Sequence, residues 1–544
     1  IKQRDASRPV MFEQAEANRN TDIIGPMYPL MDSMRRYALR KDVTRPFIMC
    51  EYSHSMGNSN GNFQEYFDIM ALAPHMQGGF IWEWLNHGLK AVDETGRSYW
   101  AYGGDLGGYR YTNDANFCAD GLVSPDRQPH PGLAEVKKVY QDILFTPVKG
   151  KRSQVQIQNR FLYRNLSAYT IKWELSSNGE VEATGLLDVV QQAGTVRQWE
   201  LPLPALSLQA GREYFLQLYA YTKEADEMMP AAFEVARAQW PLEGSWFTTQ
   251  AATTGTISQQ ETSTQLQLEA GGTQLLFNKI TGKLQSVLRN GKAIITSAPE
   301  PDFWRAPNDN DFGSDMQIRL NAWRTAGQNK KLLQFTSSSK DTAVEVVTRY
   351  RLTDVPSEYQ LIYTLYPNGK LRIYARWNAN TGDVPELPRF GMQLRLNKDY
   401  DKVTYYGRGP LENYEDRNTA SFVGIYHSDV KGLGFEYLRP QENGNRSEVR
   451  WFTLTNERGQ GIRVKGLQPI QLKASYNPAE DIDPGISKKQ QHPKDVVPRS
   501  EIYLNIDFRQ RGVAGDNSWG ADPHPPYQLT DKKYEYGYEI EWID

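Results

Sequence analysis

Cysteine is nearly absent from these 544 residues: there are two, Cys50 and Cys118. Their number and spacing provide neither a disulfide framework nor a zinc site, and as buried thiols they lean towards a reducing compartment. An excess of one charge is missing too. Lys and Arg number 62 against 65 Asp and Glu, a net charge of -3, which removes the electrostatic case for nucleic acid or an anionic membrane. No apolar run approaches the roughly 20 residues that span a bilayer. Internal repeats and low-complexity tracts do not stand out. The chain opens at Ile1, with neither an initiator Met nor an apolar leader, and so reads as a piece of a longer protein whose localisation stays open.

Aromatic residues, by contrast, are abundant. They make up 12 % of the chain, with 13 Trp and 31 Tyr, which suits β-sandwich cores and platforms for sugar rings. The length fits about three domains. In the first stretch short apolar segments alternate with amphipathic ones: Pro9–Phe12 ending at Glu13, Asp22–Met27 ending at Tyr28, Pro46–Met49 leading to Glu51, and Gly78–Trp82 ending at Glu83. Between the last two, Phe63, Tyr66, Phe67 and Met70 recur at helical spacing. Parallel strands with helices outside are expected. Four such strands are half of an eight-stranded barrel of about 250 residues, so the other half was either removed or is supplied by another polypeptide.

From about Phe145 the period becomes two, as in Tyr169–Leu175, followed by the hairpin signal Asn178-Gly179. About a hundred residues of this kind predict an immunoglobulin-like sandwich. A second all-β region starts near Trp246, with turns at Thr281-Gly282, Asn290-Gly291 and Asn368-Gly369; its length predicts a two-sheet supersandwich. The expected fold class is thus multidomain: the C-terminal half of a (β/α)8 TIM barrel (1–145), an immunoglobulin-like β-sandwich (146–243) and a large all-β supersandwich (244–544).

The chemistry centres on Glu51. Barrel enzymes place catalytic groups at the carboxyl ends of strands, although structural ion pairs explain such residues as well. Tyr52, His54 and Asn58 follow it, and Gly57 and Gly61 allow close backbone approach to a ligand. Tyr28, at the preceding strand end, can donate a hydrogen bond to Glu51 and hold it ionised. Trp82, at the next strand end, offers an apolar platform. A carboxylate nucleophile fixed by Tyr, beside His and Trp, suits glycosyl transfer. The plainer alternatives are a core aromatic for Trp82 and Phe117 and a loop histidine for His54. Trp519 lies in a Gly/Asp/Asn/Ser loop, which favours binding. Glu412 and the Asn308–Asp311 run read as loop features; the run has the oxygens for calcium, with solvated turn residues as the simpler reading.

Several segments resemble the long, lac-operon type β-galactosidases of glycoside hydrolase family 2. The stretch Arg45–Ser59 (RPFIMCEYSHSMGNS) is similar to that family's nucleophile signature. Gln77–Trp84, Tyr102–Asp105, Asn116–Val123 and Pro129–Pro131 follow in the family's order. Phe303–Asp311, Tyr406–Tyr414, Arg439–Asn443 and Gly515–Gly520 resemble its C-terminal, galactose-mutarotase-like domain. The resemblance implies a retaining hydrolase of terminal β-D-galactose in lactose-like galactosides. It makes Glu51 the nucleophile and Tyr28 the residue that orients it. It makes His54 a partner of a galactose hydroxyl, Trp82 the indole beneath the sugar and Trp519 an aglycone aromatic. Phe117 would lend a carbonyl to a sodium ion and its ring to a mobile loop. Asp120 would ligate that sodium, where the best-known members have Asn. A homo-oligomer is expected, in the cytoplasm or periplasm of a bacterium.

A retaining mechanism needs a second carboxyl about 5 Å from the nucleophile. Glu13 lies two strands away, and Glu83 is expected on the opposite side of its strand from Trp82. The resemblance places the acid/base, and the magnesium ligands with it, in the first barrel half, which would make this fragment inactive alone and the N-terminal half of the same enzyme its partner. Two alternatives remain: a family-2 hydrolase of other specificity (glucuronidase, mannosidase) and a non-catalytic carbohydrate-binding or assembly module.

Overall fold

A computed structural model describes residues 1–205, 209–248, 255–340, 342–380 and 384–544, without the Tyr109 side chain. The first region is a parallel progression. Met11 bridges Ile23, Ile24 bridges Phe47, and Met27 bridges Glu51. Strand β1 (Phe47–Tyr52) pairs in parallel with β2 (Met76–Ile81), and Leu85 bridges Val123 in the same sense. Segments adjacent in sequence thus lie side by side, as parallel α/β units require. The expected strands at 9–12 and 22–27 shrink to isolated bridges. Pro26 has no N–H to give a ladder, which interrupts the pairing of 22–27 with β1 between the Ile24 and Met27 bridges.

Helix α1 (Met31–Ala38) precedes β1, and α2 (Phe63–Met70) joins β1 to β2 where the helical spacing predicted it. The buried face of α2, Phe63, Tyr66 and Ile69, packs against Tyr52, whose ring centroid is 5.0 Å from that of Tyr66. A short antiparallel hairpin, β3 (Leu89–Val92) with β4 (Ser98–Ala101), interrupts the alternation. Helix α3 (Pro131–Val139) starts on proline, tolerated in a first turn because that N–H has no helical partner.

Next come a three-stranded and a four-stranded sheet. The first holds β5 (Ile143–Val148), β6 (Lys151–Asn159) and β9 (Val196–Glu200); the second holds β7 (Tyr169–Ser177), β8 (Glu180–Leu187), β10 (Glu213–Thr222) and β11 (Glu234–Gly244). Their shared core includes Ile157, Trp173, Leu175, Leu216 and Leu218. At the predicted hairpin Asn178 and Gly179 have φ of 51° and 87°, the paired positive angles that fit a right-twisted two-residue turn.

The last region pairs a four-stranded sheet, β12 (Ser258–Glu261) to β15 (Leu284–Arg289), with a twelve-stranded sheet that runs through the rest of the chain. One large core joins them, with Phe277, Trp323, Tyr359, Trp377 and Phe390 among its members. The two cysteines are free and only half-buried, not the fully buried thiols expected. Cys50 is part of β1 and Cys118 lies against the His87 carbonyl at 3.6 Å. No helix among the described residues is long and apolar enough to cross a membrane.

His130 sits at the joint between the barrel region and the last domain, against Phe435 and Tyr437. Burial, with the Arg417 charge adding to it, lowers its pKa from 6.5 to about 4. The folded protein therefore refuses a proton that the unfolded chain accepts below about pH 6.5, and stability falls as pH drops from there towards 4. The loss should reach about 2–3 kcal/mol. Melting temperatures of the wild type and His130→Asn between pH 7 and 5 check this: the variant should lose less on acidification, and equal slopes would refute the assignment.

Candidate active site

Glu51 is the second-last residue of β1, and the strand is irregular there. The β1–β2 register runs regularly from Ile48 to Met49 and then shifts before Tyr52. Such bulges re-aim side chains beside functional sites. On the other edge, the Tyr28 N–H donates to the Glu51 carbonyl at 2.9 Å and the Cys50 N–H to Pro26 O at 3.1 Å. Tyr28 and Ser53 both take positive φ, 46° and 49°. Left-handed backbone is costly for residues with a Cβ and persists where the surroundings enforce it.

The Tyr28 phenol faces the Glu51 carboxylate. Burial, then the Glu51 charge and the hydrogen bond to it, push the phenol's pKa far above its usual value. Tyr28 therefore stays a proton donor to Glu51 at any working pH.

Beyond Ser53 the chain enters a loop, 53–62, whose residues are almost all buried. Its polar groups are satisfied largely by the last domain. The Asn58 N–H donates to Gln441 Oε1 at 3.0 Å, and its amide to Tyr414 Oη at 3.0 Å and Glu442 O at 2.7 Å. Asn308 donates to the Asn58 carbonyl at 3.0 Å and Arg417 to the Ser59 carbonyl. The Gly61 N–H donates to Ala514 O at 2.9 Å. The two glycines have a different reason from the one the sequence suggested. A Cβ at Gly57 would meet Asp309 and Gln441 at 2.5 Å, and one at Gly61 would meet Asp416 at 2.2 Å. They admit the last domain, not a ligand.

Four of the predicted site residues form one aromatic cluster. The Tyr28 and Trp519 ring centroids are 4.7 Å apart, edge to face. His54 lies 5.1 Å from Trp519, 5.3 Å from Phe117 and 5.9 Å from Tyr28. His54 is 2 % exposed, whereas Trp82, Phe117 and Trp519 are 39 %, 42 % and 48 % exposed. In this chain the Trp82 and Phe117 rings are open at a surface rather than enclosed in its core. Trp82 joins through its backbone, its carbonyl accepting from Ser55 N at 2.8 Å and its N–H donating to Tyr52 O at 3.2 Å.

Asp120 is buried behind His54, with Oδ2 3.5 Å from Nε2. Its other oxygen, Oδ1, has no hydrogen-bond partner. Glu83 is bound by its N–H to the Asp120 carbonyl at 2.8 Å, and its carboxylate lies 3.4 Å from His87 Nε2. Burial raises its pKa; His87 opposes the rise and Asp120 and Glu51 add to it. No cluster of three or more His, Cys, Asp or Glu able to hold a metal occurs among the described residues.

The acidic run is corrected outright, while Glu412 is a loop residue as expected, though a buried one. Asn308 caps the short helix α4 (Asp309–Gly313), and Asn308 to Asp311 are buried. The Asp309 carboxylate is taken by Arg439 at 3.0 Å, Lys488 at 3.0 Å, Asn116 at 2.9 Å and Gln441 at 2.7 Å. Burial opposes its charge, but Arg439 and Lys488 hold its pKa well below the usual range. Asp311 pairs with Arg305 at 2.9 Å and Arg511 at 3.0 Å. These oxygens are occupied by cations and amides, so the run is neither a calcium loop nor a solvated turn. Glu412 is buried in an ion pair with Arg417 at 3.0 Å. Sequence reasoning also missed Ser518, 464 residues from the His54 it contacts, and Asn310, 251 residues from the Ser59 it contacts; neither carries a local pattern.

Three family models match the chain: "Glycosyl hydrolases family 2, TIM barrel domain" over 1–145, "Beta-galactosidase, domain 4" over 155–243, and "Beta galactosidase small chain" over 269–540. The beta-galactosidase of Priestia megaterium is 34 % identical over 540 residues, covering 97 % of this chain and 51 % of that protein. That of Vibrio cholerae is 33 % identical, covering 98 % and 53 %. The chain spans about half the length of the curated relatives it matches. Among solved structures, galactose 1-epimerase from Lactobacillus acidophilus aligns over 53 % of this chain and 98 % of its own with a TM-score of 0.26 at 10 % identity, a distance at which no functional statement passes between them.

The clamp on the loop after Glu51 is testable. Arg417→Ala would leave Glu412 buried without its cation, held only by the Tyr437 hydroxyl and the Gly444 N–H, and free the Ser59 carbonyl. Breaking such a buried pair from one side costs about 3–5 kcal/mol. Urea unfolding followed by tryptophan fluorescence should show that loss; a change below about 1 kcal/mol would mean the clamp is not structural.

Proposed function

The chain belongs to the beta-galactosidases of glycosyl hydrolase family 2, and from that premise we propose that it is the nucleophile-bearing half of a retaining β-galactosidase. The observation that carries the reading is the seat of Glu51: a carboxylate on a bulged strand end that faces the Tyr28 phenol, with the His54 and Trp519 rings packed against that tyrosine.

Glu51 attacks the anomeric carbon of a terminal β-galactosyl unit as the bond to the aglycone oxygen breaks. That oxygen takes a proton from an acid on the other barrel half. Water, deprotonated by the same group, then displaces Glu51 and returns it as carboxylate. Tyr28 donates its hydrogen bond to Glu51 throughout, which orients the attacking oxygen and stabilises the carboxylate as it leaves. His54 meets a sugar hydroxyl, Trp82 the apolar face of the ring, and Phe117 and Trp519 the aglycone side.

The partner reading has independent support. Phe12, Met27, Phe80 and Trp84 are all exposed around the parallel strands, and strands of a closed barrel are covered on both faces. A second polypeptide, or segment, with the other four strands would cover them and bring the acid/base and the magnesium ligands. For sodium, the residues present fit: Asp120 Oδ1 is a buried oxygen without a partner, and Asp120 with the Phe117 carbonyl would hold the ion and supply a fixed positive charge near the sugar.

Hydrolysis of a chromogenic β-galactoside tests the division of labour. The chain alone should be inactive and should gain turnover when the complementary half is added. Turnover by the chain alone would overturn the missing-acid argument, and none with either partner would favour a non-catalytic module. In the complemented enzyme Glu51→Gln should abolish covalent trapping by a 2-fluoro-galactoside; labelling elsewhere would remove Glu51 as nucleophile.

A further inference from the structure

His54, Ser518, Asn310 and Ser59 are all buried, and they share a chain of hydrogen bonds whose direction can be worked out atom by atom. Asn310 Nδ2 lies 3.0 Å from the Val513 carbonyl and 3.1 Å from Ser59 Oγ. A carbonyl only accepts, so this end of the amide must be the NH2 and the other end the oxygen. Ser518 Oγ is 2.7 Å from that oxygen and therefore spends its single proton on it. Ser518 Oγ is also 2.7 Å from His54 Nδ1. With its proton committed to Asn310, Ser518 can only accept there, and Nδ1 must carry a hydrogen. The Ser59 hydroxyl, which accepts from Asn310, donates in turn to the His54 carbonyl at 2.7 Å.

The result is a closed circuit in which every donor finds an acceptor: the His54 ring to Ser518, Ser518 to Asn310, Asn310 to Ser59, and Ser59 back to the His54 backbone. We propose that Ser518, oriented by Asn310, is a positioning residue that sets the His54 tautomer, placing the proton on Nδ1 and leaving Nε2 as an acceptor for a sugar hydroxyl. A ring nitrogen's role is decided by the bond its partner nitrogen makes, and a circuit of aligned donors reinforces each member. Without Ser518 the ring has an alternative. A neutral imidazole holds one ring proton, and with no acceptor at Nδ1 that proton is free to move to Nε2, which would then donate rather than accept. A hydroxyl supplied by the last domain thus decides which ring nitrogen holds the proton.

The kinetic part of the proposal rests on the β-galactosidase reading; the tautomer does not, and the two fail separately. Long-range correlation spectra of the full chain labelled with ¹⁵N-histidine, with the His54 signals identified by their loss in His54→Asn, should show Nδ1 protonated and Nε2 bare. Ser518→Ala should move the proton to Nε2, and Ser518→Thr, which keeps the hydroxyl, should restore it to Nδ1. Nε2–H in the wild type, or an unchanged tautomer in Ser518→Ala, would overturn the proposal. The wild-type spectrum decides the bond direction by itself should Ser518→Ala fail to fold. In the complemented enzyme Ser518→Ala should raise KM for a β-galactoside about tenfold, the scale of one hydrogen bond, with Ser518→Thr near wild type. An unchanged KM, with the tautomer altered, would overturn the link to sugar binding alone.

Discussion

Polar backbone cannot be buried without partners, and the loop that leaves Glu51 is buried almost throughout. Loops normally escape that requirement by running over the surface. This one runs beneath a second domain, and its carbonyls and N–H groups are met by Asn308, Arg417, Gln441 and Ala514. None of those residues belongs to the barrel region. The large all-β domain is therefore part of how the loop after Glu51 is held: without it, several buried donors and acceptors would go unpaired at about 1–3 kcal/mol each. This dependence ties the nearly three hundred residues of the all-β region structurally to the strand end that carries Glu51.

The charges at that joint follow the same logic. Asp309 gathers Arg439, Lys488 and, from the barrel side, Asn116, which immediately precedes Phe117. Asp311 is shared by Arg305 and Arg511, and Glu412 faces Arg417. Arginine dominates because its planar fork offers several donors in fixed directions, enough to satisfy a carboxylate and a backbone carbonyl at once. Arg305 does so, bonding Asp311 together with the Arg511 and Gly512 carbonyls. Buried ion pairs of this kind add little net stability over apolar packing, yet they penalise any misplacement. At a joint that must align Phe117, His54 and Trp519 from separate parts of the chain, geometric exactness is the useful property.

What could be read beforehand is what is encoded locally. The period-3.6 spacing of Phe63, Tyr66, Phe67 and Met70 gave helix α2, and Asn178-Gly179 gave its hairpin, because both depend on neighbours in sequence. Glu51, Tyr28, His54, Phe117 and Trp519 were legible as a set through ordered motifs, and the structure brings the last four into ring contact. The failures share one cause. Asn308–Asp311 has the composition of a solvated turn, and only the distant Arg439, Lys488, Arg305 and Arg511 make it a buried hub. Gly57 and Gly61 looked like ligand-approach glycines, whereas the atoms they admit come from Asp309, Gln441 and Asp416. Ser518 had no signature, since a serine becomes significant only through the histidine it meets.

The strained backbone takes on a meaning in this setting. Tyr28 and Ser53 stand in the left-handed region on either side of Glu51, and the β1–β2 register shifts at the same level. Each departure alone would cost of order 1–2 kcal/mol and would relax if its surroundings allowed. They persist because Tyr28 is bonded to the Glu51 carbonyl through its own N–H, and because the loop after Ser53 is fastened at Asn58 and Gly61 by the all-β domain. A regular strand would alternate its side chains and send Glu51 and Tyr52 to opposite faces, with no freedom to adjust the carboxylate. The bulge and the two left-handed residues supply that adjustment, and the rigid domain behind them keeps it. Rigidity on the closed side contrasts with exposed rings on the open side, where Trp82, Phe117 and Trp519 still have surface to bury. A carboxylate held fast from behind and open in front keeps its position whatever comes to occupy the open side, because the contacts that fix it all lie on the closed one.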